Sequence, residues 1–395
     1  MFYPDHISAL IERLTDNGYE AFIVGGSLRD TMLGRTPNDF DIATSALPEQ
    51  TLSVFKDLRT IPTGLKHGTV TVISEGEPVE ITTFRVDGEY KDSRHPDSVS
   101  FTSNITEDLS RRDFTVNAMA YNKKCGLVDP FGGREDLDRG IIRAVGEPER
   151  RFDEDALRIM RAFRFSAQLG FKIEPSTLAA AEKKREGLAN IARERISAEF
   201  LRLICSKAPS EAIELMIETK TLQYVLGEYT PTRRILAGLK NTAAEPKTRL
   251  GIILCDASDE EREIILKGLR LSSKLYSAAN TIAREAGKCL CGSDRDARVF
   301  IGNCGEHISS VLDAAKAVGS LDPLFAEKVE LNLSKKVCTT QSKLAVTGSD
   351  LIALGIKGKQ IGETMSLLLE RVLDDPNANT SDTLISIAKQ ANNIS

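Results

Sequence analysis

The sequence predicts an α+β protein in which a mixed α/β region at the N-terminus is followed by an all-helical remainder. Short apolar runs bounded by glycine and proline, which are typical of strands, concentrate in roughly the first 145 residues. After Asp153, one segment with helical spacing of its apolar residues follows another. Aromatic residues make up 6% of the chain and Trp is absent, which favours a largely helical protein over a β-sandwich.

A chain of 395 residues is too long for one typical hydrophobic core. The change of pattern near residue 145 marks one boundary, and softer changes fall near residues 205 and 335. We therefore expect four segments, 1–145, 146–205, 206–335 and 336–395, of which the first carries the sheet.

Composition and hydropathy exclude several classes of protein. No apolar run approaches the roughly 18 residues that a membrane span needs, and the N-terminus lacks the basic flank and apolar stretch of an export signal. The sequence therefore predicts a cytoplasmic protein without a membrane partner. The net charge of −5 does not by itself indicate a protein that binds nucleic acid.

The seven cysteines are scattered along the chain and do not read as a disulfide framework. One subset, Cys289, Cys291, Cys304 and His307, offers ligands that zinc could use. The C-x-C spacing lacks the usual gap of two to four residues between zinc-binding cysteines, and buried structural cysteine is the alternative.

The first predicted elements follow from the spacing of apolar residues. Ile7 to Leu14 has helical spacing, and "EAFIVGG" reads as a short buried strand that ends in glycine. A helix over "SLRDTMLG" is expected next, with Ser27 as a possible N-cap. The segments "DFDIAT", "GTVTVIS" and "PVEITTF" are predicted strands.

The double glycine between the first strand and its helix suits a phosphate. A strand that runs through glycine into a helix leaves unpaired backbone N–H groups at the helix N-terminus, where the helix dipole favours an anion. Gly25 and Gly26 permit close approach of the backbone, and Arg29 could add a charged contact. An ordinary tight turn is the alternative.

Two aspartates one residue apart suggest a metal site. Asp39 and Asp41, at positions i and i+2 of a strand, would point to one face, about 6.6 Å apart along the backbone. Like charges at this distance repel unless a divalent cation such as magnesium (Mg2+) lies beside them. Glu80, on a later strand, either completes this site or is an ordinary exposed acid.

The order of these features resembles the polymerase-β-type nucleotidyltransferase superfamily, and within it the class II CCA-adding enzymes. The resemblance is dense over about the first 205 residues and looser beyond. Besides the glycine turn and the paired aspartates, it rests on "RRDFTVNAMA" (111–120), "DPFGGREDL" (129–137), "EDALRIMRAFRFSAQLGF" (154–171) and "ISAEF" (196–200).

The resemblance implies template-independent addition of CCA to the 3′ end of tRNA from CTP and ATP, with release of pyrophosphate. The four segments would be a catalytic head, a nucleotide-selecting neck, a helical body and a tRNA-binding tail. It implies magnesium on Asp39 and Asp41, the catalytic residues, and nucleotide contacts from Gly26, Arg29, Arg112, Asp155, Arg158, Arg161 and Arg164. The oligomeric state stays open.

The segment from Glu154 to Leu169 is predicted to be one mostly apolar helix with Asp155 and Arg158 on one face. Interior arginines need anionic partners, which a nucleoside triphosphate would supply. Cytosine and adenine each present an amino donor beside a ring-nitrogen acceptor, which an aspartate and an arginine complement. Uracil and guanine present the reverse pattern, so the pair would reject them.

Several alternatives remain at this point. Addition of only CC or only A is one, although the charged segment 85–100 matches in position a loop that full CCA-adding enzymes carry. Bacterial poly(A) polymerase is the nearest rival, but its relatives have a basic stretch where this chain has "TGLKHGTVTV". An inactive RNA-binding module would leave the paired aspartates without a function.

Overall fold

The computed structural model describes residues 3–37, 39–88 and 99–394 of the chain. The chain divides into two compact units, Met1–Glu228 and Tyr229–Ser395. The α+β prediction is confirmed, because the strands of the described sheets lie in the first unit and the second unit is helical. The finer division into four segments stays a prediction.

The first unit is built around a mixed sheet. Its described strands have the order β3-β4-β5-β2-β1-β8-β9. Their bounds are β1 Ala21–Val24, β2 Asp41–Thr44, β3 Thr60–Gly64, β4 Thr69–Ser74, β5 Glu77–Thr83, β8 Ala120–Asn122 and β9 Gly126–Val128. Two small sheets pair β6 Arg85–Asp87 with β7 Val99–Phe101 and β10 Ile141–Ile142 with β11 Lys172–Ile173.

Strand β1 lies inside the sheet because all four of its residues are apolar and buried. It pairs antiparallel with β2 and β8, and β2 pairs parallel with β5. Phe22 and Val24 of β1 pack with Phe84 and Leu109 in one core cluster. Because pairing and burial fix these strands, the polar residues at the ends of β1, β2 and β5 are also held in fixed positions.

The helices of the first unit surround this sheet and continue beyond it. Their bounds are α1 Asp5–Asp16, α2 Gly25–Met32, α3 Pro48–Val54, α4 Ile105–Ser110, α5 Gly133–Arg139, α6 Pro148–Glu154, α7 Leu157–Leu169, α8 Pro175–Lys184, α9 Arg193–Ile204, α10 Pro209–Glu218 and α11 Gln223–Leu226. Helix α7 packs against α9 and α10, and most of its residues are buried.

Three local predictions need correction. Helix α2 begins at Gly25, so Ser27 lies inside it and is not its N-cap; the Ser27 hydroxyl donates to the Val24 carbonyl at 2.9 Å. Strand β2 begins at Asp41, so Asp39 precedes the strand. The long helix expected from Glu154 is interrupted, because Asp155 has extended backbone angles between α6 and α7.

The second unit consists of helices around its own apolar clusters, one of which contains Val346, Leu351, Leu368 and Leu384. The bounds are α12 Arg233–Leu239, α13 Pro246–Ile253, α14 Asp259–Gly268, α15 Ser273–Ala286, α16 Asp294–Cys304, α17 Ile308–Ala317, α18 Pro323–Ser334, α19 Gly348–Ala353, α20 Lys359–Asp374 and α21 Ser381–Ala391.

Within the described ranges, no helix has both the length and the hydropathy that crossing a membrane requires. The cysteines are all free, with Cys289 and Cys291 exposed and Cys304 buried. Across the same residues, no group of three or more His, Cys, Asp and Glu side chains is arranged to hold a metal ion. The zinc interpretation of Cys289, Cys291, Cys304 and His307 is therefore not supported.

Phe163, on α7, is fully buried, and its replacement by alanine tests the packing of this helix. We expect Phe163→Ala to lower the free energy of unfolding by about 3–5 kcal/mol, because a large cavity replaces the ring. Urea unfolding followed by circular dichroism measures the change. Leu127→Ala, at a side chain that is 38% exposed, serves as the control and should cost far less. Equal losses in the two variants would contradict the packing role of Phe163.

Candidate active site

A cleft of about 450 Å³ in the first unit brings together nearly all the residues singled out in the sequence. The predicted residues that line it are Gly26, Arg29, Asp41, Arg112, Asp155, Arg158, Arg161 and Arg164. Asp39 is exposed and lies before β2. Gly25 of the predicted glycine turn also lines the cleft, together with residues to which the sequence assigned no role in the site: Arg111, Asp113, Asn117, Leu157, Phe165, Gln168 and Arg195.

The glycine turn opens one side of the cleft. Gly25 has a φ of +71°, which favours glycine, and a Cβ there would lie 3.2 Å from Arg112 Nη1 and 3.7 Å from Asp41 Oδ2. A Cβ at Gly26 would lie 3.6 Å from Arg29 Nη2. The sequence reasoning assigned Gly26 to the site, but Gly25 is the position where the backbone most requires glycine.

Asp41 lies in a cluster of acids at the end of the sheet. It is in register with Glu80 of β5, because β2 and β5 run parallel. Burial, together with the charges of Asp39 and Glu80, raises the pKa of Asp41 to about 6, although the charge of Arg112 opposes this shift. A carboxyl group crowded by like charges is stabilised as the anion when a cation lies nearby.

The donor set suits a hard divalent cation, since it contains carboxylate oxygens and no sulfur or imidazole. The expectation that both aspartates lie on one strand is wrong, because Asp39 precedes β2. Glu80 is placed beside Asp41, but the described residues hold no set of three acids arranged for a metal, so its membership of a metal site stays a prediction.

The interior arginines already have carboxylate partners. Arg161 donates to Asp113 Oδ2 from Nε at 2.7 Å and from Nη2 at 2.6 Å. Arg164 forms an ion pair with buried Glu199 and donates to Gln168 Oε1 at 2.9 Å. The expectation that these arginines depend on a nucleotide for their anionic partners is therefore wrong. The protein holds them in place before any ligand binds.

Asp113 is a buried acid that the sequence reasoning did not single out. Burial raises its pKa, but the charge and hydrogen bonds of Arg161, the charge of Arg158 and the Asn117 amide outweigh this and lower it to about 2. Asp113 is therefore ionised and fixes Arg161. The sequence feature that could have indicated Asp113 as a site residue is an acidic side chain at the start of the apolar run "DFTVNAMA".

Phe165 gathers three guanidinium groups around one ring. The Cζ atom of Arg164 lies 3.9 Å from the ring centroid, and those of Arg29 and Arg161 lie 5.3 Å from it. The ring also packs against Phe114 in a T-shaped contact with a centroid distance of 5.8 Å. Cation–π attraction offsets part of the repulsion between the arginines, so the positive charge stays concentrated on one wall of the cleft.

Asp155 and Arg158 both line the cleft, but each has its own partners. Arg158 donates to Glu154 Oε2 at 2.8 Å and to the Arg111 carbonyl at 3.0 Å. Asp155 accepts from the Leu157 N–H at 3.0 Å and from Arg195 Nη2 at 3.1 Å. Among the described side chains, no ion pair joins Asp155 to Arg158. Asp155 precedes α7 and Arg158 lies within it, so the expectation that both lie on one face of a single helix is wrong.

Two donors in the cleft have no hydrogen-bond partner within the described residues. They are Arg112 Nε and Arg195 Nη1, and both are buried. Arg112 otherwise pairs with Asp108 at 3.2 Å. Buried donors without partners are rare, so these two are available to a ligand that carries acceptor oxygens or nitrogens.

Two family models match the chain. The model described as "Poly A polymerase head domain" matches residues 21–143, and the one described as "Probable RNA and SrmB- binding site of polymerase A" matches residues 170–232. The chain is 36% identical to the CCA-adding enzyme of Pediococcus pentosaceus over 395 residues, 96% of each chain. It is 34% identical to the CCA-adding enzyme of Geobacillus kaustophilus, covering 97% of this chain and 96% of that one.

Solved structures agree with these matches. The CCA-adding enzyme of Bacillus stearothermophilus in complex with CTP has a TM-score of 0.83 and 31% identity, and 99% of each chain is covered. The Thermotoga maritima CCA-adding enzyme complexed with tRNA has a TM-score of 0.67 at 22% identity, covering 98% of this chain and 95% of that one. The second likeness concerns the fold alone.

The ion pair between Asp113 and Arg161 predicts how stability depends on pH. Because the pKa of Asp113 falls from 3.8 to about 2 on folding, its contribution is present above pH 4 and is lost as the pH falls toward 2. Asp113→Asn should lower the free energy of unfolding at pH 7 by about 2–3 kcal/mol. Urea unfolding at pH 7, 5, 4 and 3 should show the two proteins converging in acid. A difference that is independent of pH would contradict this account.

Proposed function

The chain belongs to the family of CCA-adding enzymes, and we propose that it adds CCA to the 3′ end of tRNA from CTP and ATP, without a nucleic-acid template and with release of pyrophosphate. The observation that carries this proposal is the composition of one cleft in the first unit. It combines a glycine turn, an acidic cluster, a wall of arginines and a separate aspartate and arginine that can contact a base.

The arginines of the cleft would bind the triphosphate. Arg29, Arg161 and Arg164 surround Phe165, and Arg112 has a buried donor to offer. The backbone N–H groups near Gly26, at the start of α2, would add contacts to phosphate oxygens. Because protein carboxylates already hold Arg161 and Arg164, binding would require little reorganisation of this wall.

Nucleotidyltransferases of this family generally use divalent metal ions, and we propose magnesium on Asp39 and Asp41. The raised pKa of Asp41, about 6, supports this assignment, because its cause is burial together with acids that a cation would offset. A bound magnesium ion would neutralise negative charge on the reacting phosphate. The described acids contribute oxygens, which magnesium prefers.

Asp155 and Arg158 would select the base. A carboxylate has about four acceptor positions, and the Leu157 N–H and Arg195 use one on each oxygen of Asp155. Arg158 has N–H donors to spare after its bonds to Glu154 and to the carbonyls of Arg111 and Arg151. Asp155 can therefore accept from the amino group of cytosine or adenine while Arg158 donates to the ring nitrogen. Uracil and guanine would instead place a carbonyl acceptor against the Asp155 carboxylate and an N–H donor against the Arg158 guanidinium.

The reaction would be an in-line attack of the tRNA 3′ hydroxyl on the α-phosphate, without a covalent intermediate on the protein. The arginine wall would hold the leaving pyrophosphate, and the Asp155 and Arg158 pair would orient the nucleotide. Catalysis would thus depend on positioning and on neutralisation of charge.

The alternatives are addition of CC or of A alone, and poly(A) polymerase activity. Relatives that match 96% of the chain are named CCA-adding enzymes, which favours the complete reaction. Residues 89–98 of the segment 85–100 lie outside the described residues, so the predicted loop gives no further evidence on which nucleotides are added. Incubation of tRNA transcripts ending before CCA, after C and after CC, with CTP and ATP singly and together, would separate the alternatives.

The cytoplasmic location stays a prediction.

Replacing either aspartate of the acidic cluster should abolish nucleotide addition but leave tRNA binding. We expect Asp39→Ala and Asp41→Ala each to lower kcat at least about a thousandfold, since several kcal/mol of charge neutralisation would be lost. Incorporation of labelled CMP measures the rate, and Asp138→Asn, at an exposed surface pair, is the control. Robust turnover by either aspartate variant would refute the metal assignment.

Loss of the base-selecting pair should relax the choice of nucleotide. A site built on hydrogen bonds can discriminate by about 10⁴-fold or more. We expect Asp155→Ala combined with Arg158→Ala to reduce the preference for CTP over UTP to within about a hundredfold. Single-turnover assays with each nucleotide measure the ratio, and Arg139→Ala, at an exposed surface pair, should leave it unchanged. Unaltered selectivity in the double variant would count against this assignment.

A further inference from the structure

We propose that Arg195 determines nucleotide selectivity by positioning the Asp155 carboxylate, a role that rests on the proposed function of Asp155 in reading the base. Arg195 lies in the first turn of α9, 40 residues further along the chain than Asp155. Its Nη2 donates to Asp155 Oδ2 at 3.1 Å, and both residues line the cleft.

Asp155 needs such support because α7 fixes its backbone but not the plane of its carboxylate. It lies in the break between α6 and α7, with φ −146° and ψ 104°, and its carbonyl accepts from the Arg158 N–H at 3.0 Å. The Leu157 N–H fixes only Oδ1, at 3.0 Å. A carboxylate held by one oxygen can still rotate about its side-chain bonds. Arg195 fixes the other oxygen and thereby the plane of the group.

The other arginines of the cleft are committed elsewhere. Arg158 donates to Glu154 and to the Arg111 carbonyl, and Arg161 donates to Asp113. Within the described residues, Arg195 has Asp155 as its ion-pair partner, and its Nη1 is buried without a hydrogen bond. The side chain is 28% exposed, so most of it is packed. The polar contact that the structure describes for the Arg195 side chain is therefore the one with Asp155.

This arrangement keeps the two halves of the base-reading pair apart. Asp155 and Arg158 line the same cleft, so a carboxylate released from Arg195 could turn toward the Arg158 guanidinium. In such a pair the Asp155 carboxylate and the Arg158 guanidinium would hydrogen-bond to each other, and neither group would then be free to contact a base. Arg195 competes for Asp155 and leaves one acceptor direction on each oxygen open to the nucleotide. Arg195 is thus a positioning residue and does not need to touch the base.

Variants of the full-length chain test this inference in single-turnover assays on tRNA that ends before CCA. Arg195→Ala should lower the preference for CTP over UTP by about tenfold to a hundredfold, the size expected for one lost charged hydrogen bond. Arg195→Lys keeps the charge and should retain more of the preference than Arg195→Gln. Inhibition by pyrophosphate should be unchanged, because the arginine wall is intact. Arg139→Ala is the matched exposed control.

A double-mutant cycle with Asp155→Ala separates positioning from a general structural effect. If Arg195 acts through Asp155, then Arg195→Ala should change selectivity by less than about twofold in the Asp155→Ala background. Equal effects in both backgrounds, or full selectivity in Arg195→Ala, would overturn the inference. If Arg195→Ala does not fold, as judged by circular dichroism, Arg195→Lys and Arg195→Gln carry the same cycle. A wild-type chain without preference for CTP and ATP would instead refute the proposed function.

Discussion

The cleft depends on buried carboxylates that hold arginines together against their mutual repulsion. Asp113 fixes Arg161 and Glu199 fixes Arg164, and both guanidinium groups lie against the Phe165 ring. Removing charges of both signs from water is costly unless each is paired and hydrogen-bonded. The pairing therefore does more than stabilise the fold, because it keeps a positive wall at a fixed place while donors such as Arg112 Nε remain unused.

The cleft divides its polar groups between two tasks. The acids at the end of the sheet are crowded, as the raised pKa of Asp41 indicates, and two of them, Asp41 and Glu80, come from strands whose register is fixed by pairing. The groups that would read the base come instead from the break between α6 and α7 and from the start of α7. Charge neutralisation and recognition of the base are thus provided by different parts of the fold. Arg112, Asp113 and their neighbours line the same cleft as both parts.

Much of this could be predicted from the sequence, because it depends on local patterns. The glycine turn, the buried first strand and the acids around Asp41 follow from short-range spacing, and the residues assigned to the nucleotide meet in one cleft. The break at Asp155 was missed, although an aspartate before an apolar run is a common helix start. The pairs of Arg164 with Glu199 and of Arg195 with Asp155 span 35 and 40 residues, so only the folded chain brings them together.

The interruption between α6 and α7 also has an evolutionary consequence. Asp155 precedes α7 and caps its first turn, because its carboxylate accepts from the Leu157 N–H and its carbonyl accepts from the Arg158 N–H. A change at this position would therefore act on two properties at once, the ligand that the cleft accepts and the stability of the start of the buried α7. Chains with this architecture would need a stabilising change elsewhere to offset the lost cap when a new substrate preference arises at this position.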